Sequence, residues 1–193
     1  MTLTILLTGA SGGFGPFLSE QFSSMGHRVI EHHGHRDIDL SNLANISKLS
    51  ERAIDNGVNV LINNAAIICP AIPFPDYSEA QISNMINVNL VAPILLIHQL
   101  YDRLEGVINI NSMVGLETKK LRTMYSASKW GLRGFSNSLK SESSNKHILD
   151  VYPTNMRTWP NRPDSQDAHE CAAKIYHAFI RGDDNLILDG RPN

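Results

Sequence analysis

The first fifteen residues constrain the fold most. Leu3 to Thr8 is a short apolar run that reads as a buried strand, and it leads directly into Thr8-Gly9-Ala10-Ser11-Gly12-Gly13-Phe14-Gly15. Pro16 at a first helical position, followed by Phe17, Leu18, Phe22 and Met25, predicts an amphipathic helix that stops near Gly26. Strand, glycine turn and helix in this order start a parallel α/β unit. Glycines there let backbone N–H groups approach a pyrophosphate, and a helix N-terminus attracts its charge. The spacing is G-x-x-x-G-x-G, not the commoner G-x-G-x-x-G. The alternative is a tight turn that binds nothing.

The alternation continues along the chain. Strands are predicted at His27–Glu31, Val58–Ile62, Gly106–Asn111, Ile148–Tyr152 and Asn185–Leu188. Helices are predicted from a Ser41 cap to about Asn56, from Ser78 to about Arg103 with a kink at Pro93, from about Thr123 to Ser144, and at Gln166–Arg181. Prolines mark loops at residues 68–77 (Pro70, Pro73, Pro75) and around Pro160 and Pro163. The expected architecture is α/β: a Rossmann-like, doubly wound parallel sheet of about seven strands with helices on both faces, three layers in one domain over residues 1–193. Ligands of such sheets sit beyond the C-terminal strand ends. Gly9, His33, Asp39, Asn64, Ser112 and Pro153 all fall there.

Composition excludes several classes. The 193 residues are 42% hydrophobic and 19% charged, enough to bury a core. A net charge of −2 without a basic block argues against a nucleic-acid surface. The N-terminal apolar run is too short to span a membrane and lacks a charged start. Cys69 and Cys171 are far apart, so a reduced cytoplasmic setting is expected. The histidines in His32-His33-Gly34-His35-Arg36 have no carboxylate or cysteine at ligand spacing, and no metal site is assigned. The end of the second strand normally meets the adenosine ribose, where an acid selects NAD and a cation accepts the 2′-phosphate of NADP. His33, Gly34, His35 and Arg36 include no acid, which favours NADP(H).

One helical pair carries chemistry. Tyr125 and Lys129, four apart, share a helix face. A phenol titrates near 10, and moving it to about 7 requires about 4 kcal/mol of differential stabilisation. A lysine beside it, with a cationic cofactor ring, supplies the right sign. On its own the pair also reads as a solvated helix contact.

Together these segments resemble the short-chain dehydrogenase/reductase family. The matches are Thr8-Gly9-x-x-x-Gly13-x-Gly15, Asp39-Leu40, Asn63-Asn64-Ala65-Ala66, Val88-Asn89, Ser112 and Tyr125-x-x-x-Lys129, with Tyr125 thirteen residues after Ser112. The resemblance implies that Tyr125 is the general acid/base and that Lys129 lowers its pKa and holds the nicotinamide ribose. It implies that Ser112 binds the substrate carbonyl and that Asn89 holds a water in a relay to Lys129. It places Thr8, Gly9, Ser11, Gly12, Gly13, Phe14 and Gly15 at the pyrophosphate. Asp39 and Leu40 fall at the adenine, Asn64 with Ala65 and Ala66 at the ribose, and Pro153, Met156 and Thr158 at the nicotinamide. The substrate is then a small carbonyl compound or alcohol, and helices 78–103 and 123–144 are the expected contacts of a homodimer or homotetramer.

Departures accompany the matches. Asn-Ala-Gly reads Asn64-Ala65-Ala66, Pro-Gly reads Pro153-Thr154, and a Ser-Ser pair reads Asn111-Ser112. The helix expected between the second and third strands is reduced to a loop around His33–Arg36. The segment between Thr158 and the last helix, where relatives carry a substrate lid, is very short. Two other readings follow: a dinucleotide-sensing or scaffold protein without turnover, and a nucleotide-sugar epimerase or dehydratase.

Overall fold

The computed structural model describes residues 2–68, 70–158 and 165–191. Cys69, Pro160 and Pro163 lie outside the described residues. In chain order the elements are β1 (Thr4–Thr8), α1 (Gly15–Ser24), β2 (Arg28–His32), α2 (Ile46–Asp55), β3 (Val60–Asn63), α3 (Glu79–Ile86) and α4 (Ala92–Leu100). Then come β4 (Gly106–Ile110), α5 (Thr123–Glu142), β5 (His147–Pro153), β6 (Met156–Arg157), β7 (Gln166–Asp167), α6 (Ala168–Arg181) and β8 (Asn185–Leu188). The main sheet is parallel, with six strands in the order β2-β1-β3-β4-β5-β8. β6 and β7 form a separate parallel pair.

The sheet therefore has six strands rather than about seven. It is doubly wound about β1, with β2 on one side and β3, β4, β5 and β8 in succession on the other. After β2 the chain makes a 3-10 turn at Gly34–Arg36 and proceeds to α2, so β2 is an edge. Alternate residues of the strands serve two cores. Ile5, Leu7, Ile62, Ile108 and Val151 pack with Leu18 and Phe22 of α1 and Ile175 of α6. Leu6, Leu61, Val107 and Ile148 pack with Leu49 of α2 and Leu96 of α4. Each fully buried Leu or Ile contributes about 1.5–3 kcal/mol. Burial on both faces is why these strands read as continuous apolar runs.

Three local expectations are corrected. Asn42, not Ser41, opens the second helical segment: its side chain accepts from Ala44 N at 3.2 Å and caps a 3-10 turn, Leu43–Asn45, ahead of α2. The Ser41 N–H instead donates to Asp39 at 2.9 Å. The irregularity at Pro93 is a π turn over Asn87–Val91, in which Ala92 N donates to Asn87 O, five residues back. Pro93 has no N–H with which to continue the ordinary ladder, so the widening precedes it. Finally, Gln166 belongs to β7, and α6 starts at Ala168 because the Asp167 carboxylate accepts from Glu170 N at 3.1 Å.

The helical run Glu79–Arg103, of mean hydropathy 1.5, is long and apolar enough to cross a membrane by composition. In the fold its Met85, Ala92, Leu96, Ile97 and Leu100 are buried in the cores.

α5 is held differently from the other helices. Its buried residues are Tyr125, Ser128, Lys129, Leu132 and Ser136, of which only Leu132 is aliphatic. Below them a polar row crosses the sheet, with Asn63, Asn109, Asp150 and Asn185 in register on β3, β4, β5 and β8. Asn63 donates to Asn109 at 2.9 Å, and Asn109 donates to Asp150 at 3.1 Å. Asp150, 0% exposed, also accepts from Ser136 at 2.7 Å and from the Lys140 ammonium at 2.8 Å. Each of these polar groups would cost about 1–3 kcal/mol if buried without its partner.

The open end of the sheet is tied by His32. This fully buried ring accepts from Gly9 N at 3.3 Å through Nδ1 and faces Ile38 O at 2.7 Å through Nε2. Those two bonds need the neutral ring with its proton on Nε2. Burial pushes the His32 pKa down, joined by the Arg52 and His33 charges and opposed by the Ile38 bond and Asp37. Burial also lowers His27. Unfolding restores the ordinary value, so below pH ~6.5 the unfolded chain binds more protons and stability falls as the pH is lowered. Asp37, held at about 2 by its bidentate pair with Arg52, loses its contribution only below pH ~4. The denaturant midpoint should therefore decline between pH 7 and pH 5, with a shallower slope in His32→Gln. A flat midpoint over that window would contradict the neutral, buried ring.

Candidate active site

A cleft of about 1120 Å³ opens at the C-terminal ends of the strands. It lies where the chain reverses direction, with β2 on one side of β1 and β3 on the other.

The glycine turn forms one wall. Gly9 has φ +67°, and a Cβ there would stand 2.8 Å from Ala65 Cα. At Gly15 a Cβ would meet Gly9 O at 2.2 Å. These two positions accept only glycine, because the β1–α1 turn closes against the end of β3. Thr8 supports it from beneath: its hydroxyl donates to Ile62 O at 3.3 Å and accepts from Asn64 N at 3.0 Å and Ala65 N at 3.1 Å. The Asn64 amide donates to Thr8 O and Gly9 O at 3.1 and 2.9 Å. Ser11 donates to His33 O at 3.0 Å. Gly12 and Gly13 have open space above them. A glycine floor leading into the N-terminus of α1 and a long cleft fit a dinucleotide.

The other wall is β4 and α5. Ser112 follows β4, and its side chain accepts from Val114 N at 3.2 Å. It lines the cleft together with Tyr125 on the first turn of α5. Burial raises the Tyr125 pKa, with the Ser112 side chain and the Arg122 charge opposing it. Lys129, 2% exposed, donates from Nζ to Ile110 O at 2.9 Å, and its ammonium lies 5.8 Å from the centre of the Tyr125 ring. Burial lowers the Lys129 pKa to about 8. The sign at Tyr125 thus differs from the expectation that the lysine would pull the phenol down: desolvation outweighs the charges acting on it. Asn111 fixes Lys129 in register by donating to its backbone carbonyl at 3.2 Å.

Asn89 lies behind this wall, not on it. From the π turn its side chain accepts from Ile67 N at 2.7 Å and donates to Ile67 O at 2.9 Å and Ser128 Oγ at 3.2 Å. Ser128 in turn donates to Tyr125 O at 2.8 Å. Asn89 thereby joins α5 to the segment leaving β3.

The cleft gathers most of the residues singled out from sequence: Gly9, Ser11, Gly12, Gly13, Phe14, Gly34, His35, Asp39, Leu40, Asn64, Ala65, Ala66, Ser112, Tyr125, Lys129, Pro153, Met156 and Thr158. Thr8, Gly15, His33, Arg36 and Asn89 are not among its lining residues. His32, Asn111, Glu117, Lys119, Arg122 and Arg191 line it without having been assigned. Three cations in Lys119-Lys120-Leu121-Arg122 between Ser112 and Tyr125 were a readable signal for two of these. Arg191 carries no such signal, since only the fold brings it across to Glu117 at 2.7 Å. Leu121 has φ 61°, the one positive φ outside glycine among the described residues. A left-handed leucine costs about 1–2 kcal/mol.

Known proteins share this plan. A family model described as short chain dehydrogenase matches residues 33–168, a span that starts after the glycine turn. Nodulation protein G of Rhizobium sp. (strain N33) is 32% identical over 168 residues, covering 74% of this chain and 68% of that protein. The ketoacyl reductase HetN of Nostoc sp. is 30% identical over 166 residues, and this chain spans 58% of its length. Among solved structures, a short-chain dehydrogenase from Sphingobium yanoikuyae in complex with NADPH superposes with a TM-score of 0.84 at 22% identity, covering 96% of this chain and 87% of that one. 4-hydroxyisoleucine dehydrogenase complexed with NADH gives 0.85 at 23% identity, covering 98% of each chain. With the parallel sheet and this cleft, the match over residues 33–168 establishes that the chain belongs to the short-chain dehydrogenase family of NAD(P)-dependent oxidoreductases.

Proposed function

We propose that this chain, as one dinucleotide-binding domain in the cytoplasm, reduces a carbonyl compound or oxidises the matching alcohol with NADP(H). The observation that carries the reading is the convergence of Ser112, Tyr125 and the buried Lys129 on one cleft with the glycine turn. A bound nicotinamide supplies or accepts the hydride. The chain's own residues handle position and the proton. Ser112 donates to the substrate oxygen. Tyr125, held protonated at neutral pH by burial, gives that oxygen its proton in the reducing direction and takes it back in the oxidising one. Lys129 stabilises the phenolate that results and lies against the ribose. Pro93 has no N–H to offer the Asn89 carbonyl four residues back, which leaves that oxygen for a water on the path toward Lys129.

The glycine turn, with Ser11 and Phe14, would hold the pyrophosphate. Asp39 and Leu40 would meet the adenine. At the ribose, His35 lines the cleft. Asp37, the first acid after β2, is engaged by Arg52 through bonds of 2.7 and 2.6 Å. With no free carboxylate at that position, a 2′-phosphate is the favoured group. Titration with both cofactors should show NADPH binding about tenfold or more tighter than NADH, a step of ~1.4 kcal/mol. Tyr125→Phe should keep that binding and lose about 10²–10⁴-fold in turnover. An active Tyr125→Phe protein would remove the tyrosine from its role, and tighter NADH binding would overturn the cofactor preference.

The reading includes self-association through the outer faces of α3–α4 and α5. Trp130 on α5 is 42% exposed, and Leu90 and Phe135 are only partly covered. Light scattering should give a dimer or tetramer that Trp130→Glu dissociates; a wild-type monomer at micromolar concentration would contradict it.

A further inference from the structure

The Pro-Gly expected after β5 reads Pro153-Thr154, and the threonine is fully engaged. Its hydroxyl accepts from Gln166 Nε2 at 2.9 Å and from Gly190 N at 3.0 Å, and donates to Leu188 O at 3.3 Å. A hydroxyl has one proton and two lone pairs, so all of them are used. The Thr154 N–H donates to the same Leu188 carbonyl at 2.9 Å, and Gln166 Nε2 donates to it at 2.7 Å. A Cβ at Gly190 would stand 2.3 Å from Gln166 Cγ, so the segment after β8 lies tightly on this hub. That segment delivers Arg191. Its Nε and Nη2 bond the Asp189 carboxylate at 2.8 and 2.6 Å, and its Nη1 donates to Glu117 at 2.7 Å. Glu117 is tied in turn to the residue after Ser112, its N–H donating to Met113 O at 3.0 Å. Glu117, Thr154 and Arg191 all line the cleft with Ser112, Tyr125 and Met156. Thr154, Gly190, Arg191 and Glu117 therefore form a strap that joins the loop after β5 to the segment after β4.

Resting on the assignment of NADP(H) and Tyr125 made above, we propose that Thr154, Arg191 and Glu117 are positioning residues, which hold these two segments together at the nicotinamide end of the cleft and keep water out of it. The loop after β5 is the one assigned to the nicotinamide, and the segment after β4 carries Ser112 at the carbonyl oxygen. The strap fixes the gap between them. The sequence between Thr158 and α6 leaves little chain for a lid, and exclusion of water from the reacting groups is the work a lid does. In this protein the segment after β8 does it. The Asp189 fork holds the guanidinium in place, so little freedom is lost when it meets Glu117. An exposed ion pair is weak and screened by salt, so the strap parts at low cost when substrate enters or product leaves.

The test measures how strongly acrylamide quenches the emission of NADPH bound to the full chain. Glu117→Gln, Arg191→Gln and Thr154→Val should each raise the quenching constant about twofold or more, the scale of an exposed ion pair. Arg191→Lys should raise it less than Arg191→Gln. Thr154→Ser, which keeps the hydroxyl, should match wild type. The Glu117→Gln/Arg191→Gln double variant should go no further than either single one, because both remove the same interaction. Glu117 and Arg191 are exposed, so their variants keep the fold and the result does not hang on Thr154→Val. Unchanged quenching in Glu117→Gln and Arg191→Gln overturns the strap, while hydride transfer with Tyr125 stands. Additive effects in the double variant, or Thr154→Ser behaving as Thr154→Val, also overturn it. If wild type binds no NADPH, the function proposed above fails, and amide hydrogen exchange in the cofactor-free protein decides the strap by itself. Faster exchange at residues 114–117 in both Glu117→Gln and Arg191→Gln supports the tie, and equal exchange refutes it.

Discussion

Taking an ammonium out of water costs several kcal/mol even after the protein relaxes around it. Lys129 is in that position: 2% exposed, with one N–H spent on the Ile110 carbonyl and its pKa drawn down to about 8. The surrounding structure exists to hold it there. Asn111 grips its backbone carbonyl, Ser128 beside it is tied to Asn89, and two and three turns further on Ser136 and Lys140 are anchored on Asp150. A helix docked by a greasy stripe can slide or rotate at modest cost. One docked by directional bonds to buried partners cannot, since each slip leaves a polar group unsatisfied. The register of α5 is set in this way, and with it the direction of Tyr125.

The same sheet end collects the other parts. Parallel strands place all their C-terminal ends on one edge, so a glycine turn after β1, an asparagine after β3, a serine after β4 and a proline ending β5 become neighbours without being close in sequence. With β2 at the edge of the sheet, His32 bonds the glycine turn to the loop that follows β2. On the other side Glu117, Lys119, Arg122 and Arg191 line the cleft.

Much of the fold was legible because its signals are local. Continuous apolar runs bounded by glycine and proline marked every strand of the main sheet to within a few residues, and the three-layer α/β class followed. What the sequence did not reveal depends on tertiary partners. The π turn at Asn87–Val91 arises from a missing N–H on Pro93, which a kink explains equally well at the level of sequence. Asn42 and Ser41 are both good caps, and only the Asp39 carboxylate decides between them. At the site, motif spacing brought together the residues that line the cleft. It gave no hint that Arg36 and His33 would miss the lining, that His32 would brace it, or that burial would carry Tyr125 upward. Desolvation is a property of the whole assembly and has no sequence period.

The most direct test of this account is the protonation of Tyr125 itself. Carbon-13 labelling at tyrosine Cζ would follow its phenol by NMR across pH in the apo-protein and in the NADP⁺ complex, for wild type and Lys129→Met. The account predicts a phenol titrating above 10 without cofactor and well below 10 in the complex, with most of that fall lost in Lys129→Met. A phenol that stays above 10 in the complex, or falls equally without the lysine, would contradict it.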